Sequence, residues 1–128
     1  MEAHTTTVLY IEDNLENRML VRRILVAEGY RVLEADSAEV GMSLARQEQP
    51  DLIMIDINMP DLDGLTVTSM MKADPILGNT PVVAITANVM KGDRERTLSA
   101  GCDGYIQKPI EVDDFPRQVA HYLQRTAS

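Results

Sequence analysis

The chain has no tryptophan, one phenylalanine and one cysteine among 128 residues. A lone cysteine, Cys102, closes no internal disulfide, so the fold has to stand on its packed core, and a reducing compartment suits it. Cys102 reads as a small buried residue near a helix end, since no histidine or basic cluster adjoins it to make a reactive thiolate. Long apolar runs are missing too. Nothing approaches the roughly 20 residues of a membrane span, and the start, MEAHTTT, has neither the basic nor the apolar region of a secretory signal. The expectation is a cytoplasmic protein. Basic residues are in deficit, twelve against twenty acids for a formal net charge of -8. They are scattered rather than striped, which disfavours direct nucleic-acid binding, because phosphate neutralisation supplies most of such affinity.

What the chain does have is regular punctuation. Hydrophobic residues make up 45%, enough for one domain-sized core, and residues 1–128 read as a single domain with a disordered start over about 1–6 and no output domain. The short runs Val8 to Ile11, Arg31 to Ala35, Leu52 to Ile55, Val82 to Ile85 and Tyr105 to Gln107 read as strands. Between them lie helical stripes: Leu20, Val21, Ile24 and Leu25, stopped by Gly29; Val40 and Leu44, started by Asp36 with Glu39 three residues on; Val67, Met70 and Met71 after Gly64; a weaker segment over roughly Met90 to Ala100, held by Met90 and Leu98 and ended by Gly101; and Phe115, Val119, Tyr122 and Leu123. The helical methionines read as core filler. Strands alternating with helices, without hairpin turns, give an α/β fold: a five-stranded parallel sheet with five helices on both faces.

Parallel strands joined by right-handed crossovers gather their carboxyl ends on one edge. That edge collects Glu12 and Asp13 after the first strand, Asp56 after the third, Thr86 after the fourth and Lys108 after the fifth. Carboxylates crowded together repel one another and call for a cation. Mg²⁺ prefers oxygen ligands and keeps several waters, so Glu12, Asp13, Asp56 and the backbone carbonyl of Asn58 make a plausible protein share, with Mn²⁺ as a substitute. With a metal in place, Lys108 and the Thr86 hydroxyl suit a phosphoryl group, and Asp56 becomes a nucleophile able to form an acyl phosphate.

The motifs IEDN (Ile11 to Asn14), DLIMIDINMPDLDG (Asp51 to Gly64), AITA (Ala84 to Ala87) and GYIQKPI (Gly104 to Ile110) together resemble the receiver domain of two-component response regulators. The likeness spans the chain in order, and its later half is similar to single-domain regulators of the DivK type and to receivers of hybrid histidine kinases. It implies a CheY-like, flavodoxin-like sheet in strand order 2-1-3-4-5. It also implies that Asp56 accepts phosphate from a histidine kinase or phosphotransfer protein, and that Lys108 pairs with it. A cis bond at Lys108-Pro109 is implied as well. So is a switch through Thr86 and Tyr105 that alters a partner-binding face formed by the fourth helix, fifth strand and last helix. The expected product is a phosphorylation-controlled monomer or weak dimer, not a turnover enzyme.

Blander readings compete residue by residue. Asp13 or Asn14 could simply cap the first helix, Thr86 could be a structural hydroxyl, and Lys108 a solvated charge. His121 reads as a surface residue and His4 as part of the disordered start. Pro116 departs from the family: either the last helix starts late, after Asp113 or Asp114, or it bends there. A haloacid-dehalogenase-like phosphatase with Asp56 as nucleophile is the rival enzyme, but such enzymes need an acid two residues on, where this chain has Asn58. A flavodoxin-like FMN carrier is disfavoured by the acidic, glycine-free EDNLEN after the first strand.

Overall fold

Continuous apolar strands cannot leave either face in water, and the structure covers both. The computed structural model describes residues 5–57, 64–87 and 93–126. Its strands are β1 (Thr7–Ile11), β2 (Arg31–Ala35), β3 (Leu52–Asp56), β4 (Val82–Thr86) and β5 (Gly104–Gln107), all parallel, in the order β2-β1-β3-β4-β5. The helices between and after them are α1 (Leu15–Ala27), α2 (Ala38–Glu48), α3 (Gly64–Ala73), α4 (Asp93–Ser99) and α5 (Phe115–Thr126). Every residue of β1, β3 and β4 is buried.

Side-chain alternation splits the core in two. Val8, Tyr10, Leu52, Met54, Val83, Ile85 and Ile106 face α1 and α5, where they meet Val21, Ile24, Leu25, Phe115 and Val119. Leu9, Ile11, Ile53, Ile55 and Val82 face the opposite way, onto Met42 and Ala45 of α2 and Val67 and Met71 of α3. Each such side chain gains about 1.5–3 kcal/mol on leaving water. This two-sided burial sets the register, because a slip by one residue would exchange the two faces.

The helix boundaries follow local chemistry. The Asn14 side chain accepts from Asn17 N at 2.9 Å and caps α1, so Asp13 is not spent on capping. Gly29 (φ +91°) and Gly101 (φ +102°) follow α1 and α4 in the left-handed region that glycine tolerates. The expected cap of α2 needs correcting: it is Ser37, not Asp36, whose side chain accepts from Val40 N. Pro116 is the second residue of α5, where its missing N–H costs nothing, so the late start is the observed solution.

Three expected inward residues also need correcting. Val40 is 43% exposed, and α2 instead buries Gly41, Met42 and Ala45. Met70 is 54% exposed while Thr68 takes an inward place on α3, and Leu98 is 45% exposed while Thr97 is buried on α4. The other expected anchor of α4, Met90, lies outside the described residues. Cys102 is buried as expected, near the end of α4, with its thiol 3.7 Å from Thr68 Oγ1. Burial pushes that thiol's pKa up, which suits an inert packing role. No helix among the described residues is long and apolar enough to cross a membrane.

Candidate functional site

The alternating row that faces α1 and α5 does not stop with the hydrophobics. Two residues beyond Tyr10 on the same row is Glu12, two beyond Met54 is Asp56, and two beyond Ile106 is Lys108. Strand periodicity alone therefore carries three charged groups to the same end of the same face. The structure brings them into contact: Lys108 Nζ lies 2.8 Å from Asp56 Oδ2 and 3.2 Å from Glu12 Oε1. Ligand oxygens of Glu12, Asp13 and Asp56 all fall within 4.8 Å of one another.

Burial differs sharply among the acids. Glu12 and Asp56 are buried and Asp13 is exposed at the mouth. Glu12 has its carboxyl pushed up to about 7, first by desolvation and then by the neighbouring Asp56 carboxyl, with Asn17 pulling the other way. Burial pulls the Lys108 ammonium down, but the hydrogen bond and charge of Asp56, joined by Glu12, outweigh it and leave its pKa above the ordinary value. Tyr10, below them, is pushed far up by desolvation and by the charge of Glu12, and stays a neutral donor.

These residues fit a hard divalent cation. Three carboxyl groups converge here, and Lys108 contacts two of them, Asp56 and Glu12. Glu12 Oε2 is buried and has no hydrogen-bond partner among the described residues, whereas buried polar atoms ordinarily have one. An all-oxygen donor set with one carboxylate at the solvent mouth suits Mg²⁺, which keeps part of its water shell. The fourth expected ligand, the Asn58 carbonyl, lies outside the described residues.

The remaining expected residues take separate positions. Thr86 is buried as the last residue of β4, and its carbonyl accepts from Lys108 N at 2.8 Å. By strand alternation Thr86 and Tyr105 lie on the face opposite Asp56 and Lys108, in the row that β4 and β5 share through the pair Ala84 and Tyr105. Tyr105 is half-buried, and its backbone N–H and carbonyl both meet the Tyr122 hydroxyl, at 3.3 and 3.2 Å. The Lys108-Pro109 peptide is cis. Gly64 closes the site from α3: a Cβ there would stand 2.8 Å from Ile57 Cα and 3.2 Å from Asp56 O, so only glycine permits the approach.

Two residues escaped the sequence reading. Asn17 Nδ2 donates to Glu12 Oε1 at 2.7 Å, and the Arg18 guanidinium donates to the Glu12 carbonyl at 2.7 Å. The available signal was the cap at Asn14, which starts α1 so that its first turn folds back over Glu12.

Comparison with known proteins points one way. The profile of the response regulator receiver domain matches residues 8–120. The chain is 43% identical over 119 residues to the polar-differentiation response regulator DivK of Brucella ovis, covering 93% of this chain and 97% of that protein. DivK of Brucella anthropi is 42% identical over 117 residues, 91% of this chain and 95% of that one. The receiver domain of a Pseudomonas aeruginosa sensor histidine kinase, solved with a magnesium ion coordinated in its active site cleft, is 30% identical with a TM-score of 0.84, covering 94% of this chain and 99% of that one. Chemotaxis response regulator CheY4 of Vibrio cholerae, 22% identical with a TM-score of 0.86 and covering 96% of this chain and 99% of that one, shares the fold.

Proposed function

Because this chain belongs to the response regulator receiver family, we propose that Asp56 is its phosphoacceptor and that residues 1–128 work as one cytoplasmic receiver unit. The observation that carries the proposal is the contact of Lys108 Nζ with Asp56 Oδ2 at 2.8 Å, inside the cluster with Glu12 and Asp13. Of the architectures built on a strand-end aspartate, the family match supports the receiver and lends nothing to a dehalogenase-like phosphatase.

The donor is a phosphohistidine on a histidine kinase or phosphotransfer protein. An Asp56 carboxylate oxygen attacks its phosphorus, the P–N bond breaks, and the electron pair leaves on the imidazole, which takes up a proton. Asp56 is left as an acyl phosphate. Lys108 pairs with the Asp56 carboxylate beforehand and then with a phosphoryl oxygen. Glu12, Asp13, Asp56 and the Asn58 carbonyl would hold Mg²⁺ or Mn²⁺, which supplies charge neutralisation for the phosphoryl oxygens. Thr86, at the end of β4, then donates its hydroxyl to the phosphoryl group, and Tyr105 turns inward beside it. The face of α4, β5 and α5 changes, and a downstream protein reads it.

The test is an amide spectrum with beryllofluoride and Mg²⁺, which mimic the phosphorylated state. Shifts at Asp56, Thr86 and Tyr105 are expected in the native chain and absent in Asp56→Asn. A response that persists in the variant, or never occurs in the native chain, removes Asp56 from this role.

A further inference from the structure

Glu12 is held at both ends by the first turns of α1. Its carbonyl accepts from Arg18, whose guanidinium also stands 3.7 Å from Glu34. Its carboxylate accepts from Asn17 on one oxygen only. Oε1 takes Asn17 Nδ2 at 2.7 Å, Lys108 Nζ at 3.2 Å and the Tyr10 hydroxyl at a long 3.5 Å, while Oε2 takes no donor among the described residues. Three donors on one oxygen and none on the other of a fully buried carboxylate is a lopsided arrangement, and the shortest of the three comes from Asn17.

Asn17 is itself fixed. Its backbone N–H donates to the Asn14 side chain at 2.9 Å, so the capping bond that starts α1 also sets the arm that reaches Glu12. The sequence Glu12-Asp13-Asn14-Leu15-Glu16-Asn17 thus runs out of β1 and returns on its own first acid within one turn.

We infer that Asn17 is a positioning residue for the metal: by saturating Glu12 Oε1 it leaves Oε2 with lone pairs for the cation. The inference rests on the assignment of Glu12 to the metal site made above. Outer partners that orient ligands of this kind typically carry about 10- to 100-fold of metal affinity. Asn17 is only half-buried and its contact is a single bond, so about tenfold is expected here.

The experiment compares Mg²⁺ dissociation constants, read from amide shifts of Asp13 and Asp56, in the native chain, Asn17→Leu and Asn17→Gln. Leucine keeps the volume without the donor; glutamine keeps the donor on a longer arm. Asn17→Leu is expected to weaken Mg²⁺ about tenfold and Asn17→Gln to recover part of that. A destabilising core variant on the opposite face of the sheet, Leu77→Ala, should leave the constant unchanged. Native affinity in Asn17→Leu, or equal weakening in Leu77→Ala, overturns the role of Asn17 while leaving the metal site intact. A native chain that shows no Mg²⁺ response at Asp13 and Asp56 overturns the metal site, and Asn17 with it.

Discussion

Replacing Glu12 by glutamine should stabilise the metal-free protein. The native group is fully buried, and its pKa of about 7 stands well above the ordinary 4.5. At about 1.4 kcal/mol for each step of one in pKa, the ionised form costs the fold about 3 kcal/mol. The sign follows from linkage. A raised acid contributes its stability below pH 4.5, where folded and unfolded chains are both protonated there, and loses it as the pH climbs through 7. Glutamine never ionises. Its carbonyl can keep the Asn17 bond while its NH₂ takes the place of Oε2 beside the other acids, although the charge pairing with Lys108 is given up. A net gain of about 2 kcal/mol at pH 8 remains, or about 8 °C in Tm for a domain of this size. Thermal melts by circular dichroism in a chelator, at pH 4.5 and pH 8, read it directly. The two proteins should melt within a few degrees of each other at the lower pH and diverge at the higher. Added Mg²⁺ should raise the native Tm and close the gap, because ligand binding stabilises whichever form holds it. A variant less stable than the native chain at pH 8 without metal, or a difference that ignores pH, would mean that ionised Glu12 carries no such cost.

Lys108→Ala leaves Asp56 and Glu12 without their ammonium and should cost about 1–2 kcal/mol in urea unfolding, below the value for a fully buried pair because a fifth of the lysine side chain is exposed. The same change removes a competing cation, so Mg²⁺ should bind several-fold tighter in calorimetry while the beryllofluoride response at Thr86 weakens. At the free edge of the sheet, Tyr122→Phe keeps the ring that rests on Gly104 but deletes the hydroxyl that meets both backbone groups of Tyr105. About 1 kcal/mol should be lost, with faster amide exchange at Tyr105 than at Ile106, whose neighbours in the sheet are untouched.

Much of this was readable in the chain because strand-forming runs such as LIMI and VVAI are apolar without interruption and are closed by proline, glycine or an acid. An uninterrupted run means burial on both faces, which in turn means parallel strands, a common edge, and a place for Asp56 and Lys108 to meet. Helix orientation was less legible. On α2 the pair Val40 and Leu44 matches a helical stripe as well as Met42 and Ala45 do, and the choice is made by depth. Gly41 lets the helix lie against β1, where a Cβ would come within 2.8 Å of Ile11 Cγ1, and that contact turns Val40 outward. Thr68 is buried on α3 for a related reason: a threonine can satisfy its hydroxyl inside its own helix, as Thr68 does on Gly64 O at 2.9 Å, and then packs like valine. Asn17 was invisible because an asparagine in a first turn is an ordinary residue until the bend of the chain over Glu12 is known.

The most direct measurement is to locate the phosphoryl group. The native chain, incubated with a small-molecule phosphodonor such as acetyl phosphate and reduced with borohydride to trap any acyl phosphate, is digested and sequenced by mass spectrometry with and without Mg²⁺. One modified position is expected, Asp56, formed only when the metal is present. Modification at Asp13 or another acid, or at Asp56 to the same extent in a chelator, would contradict it.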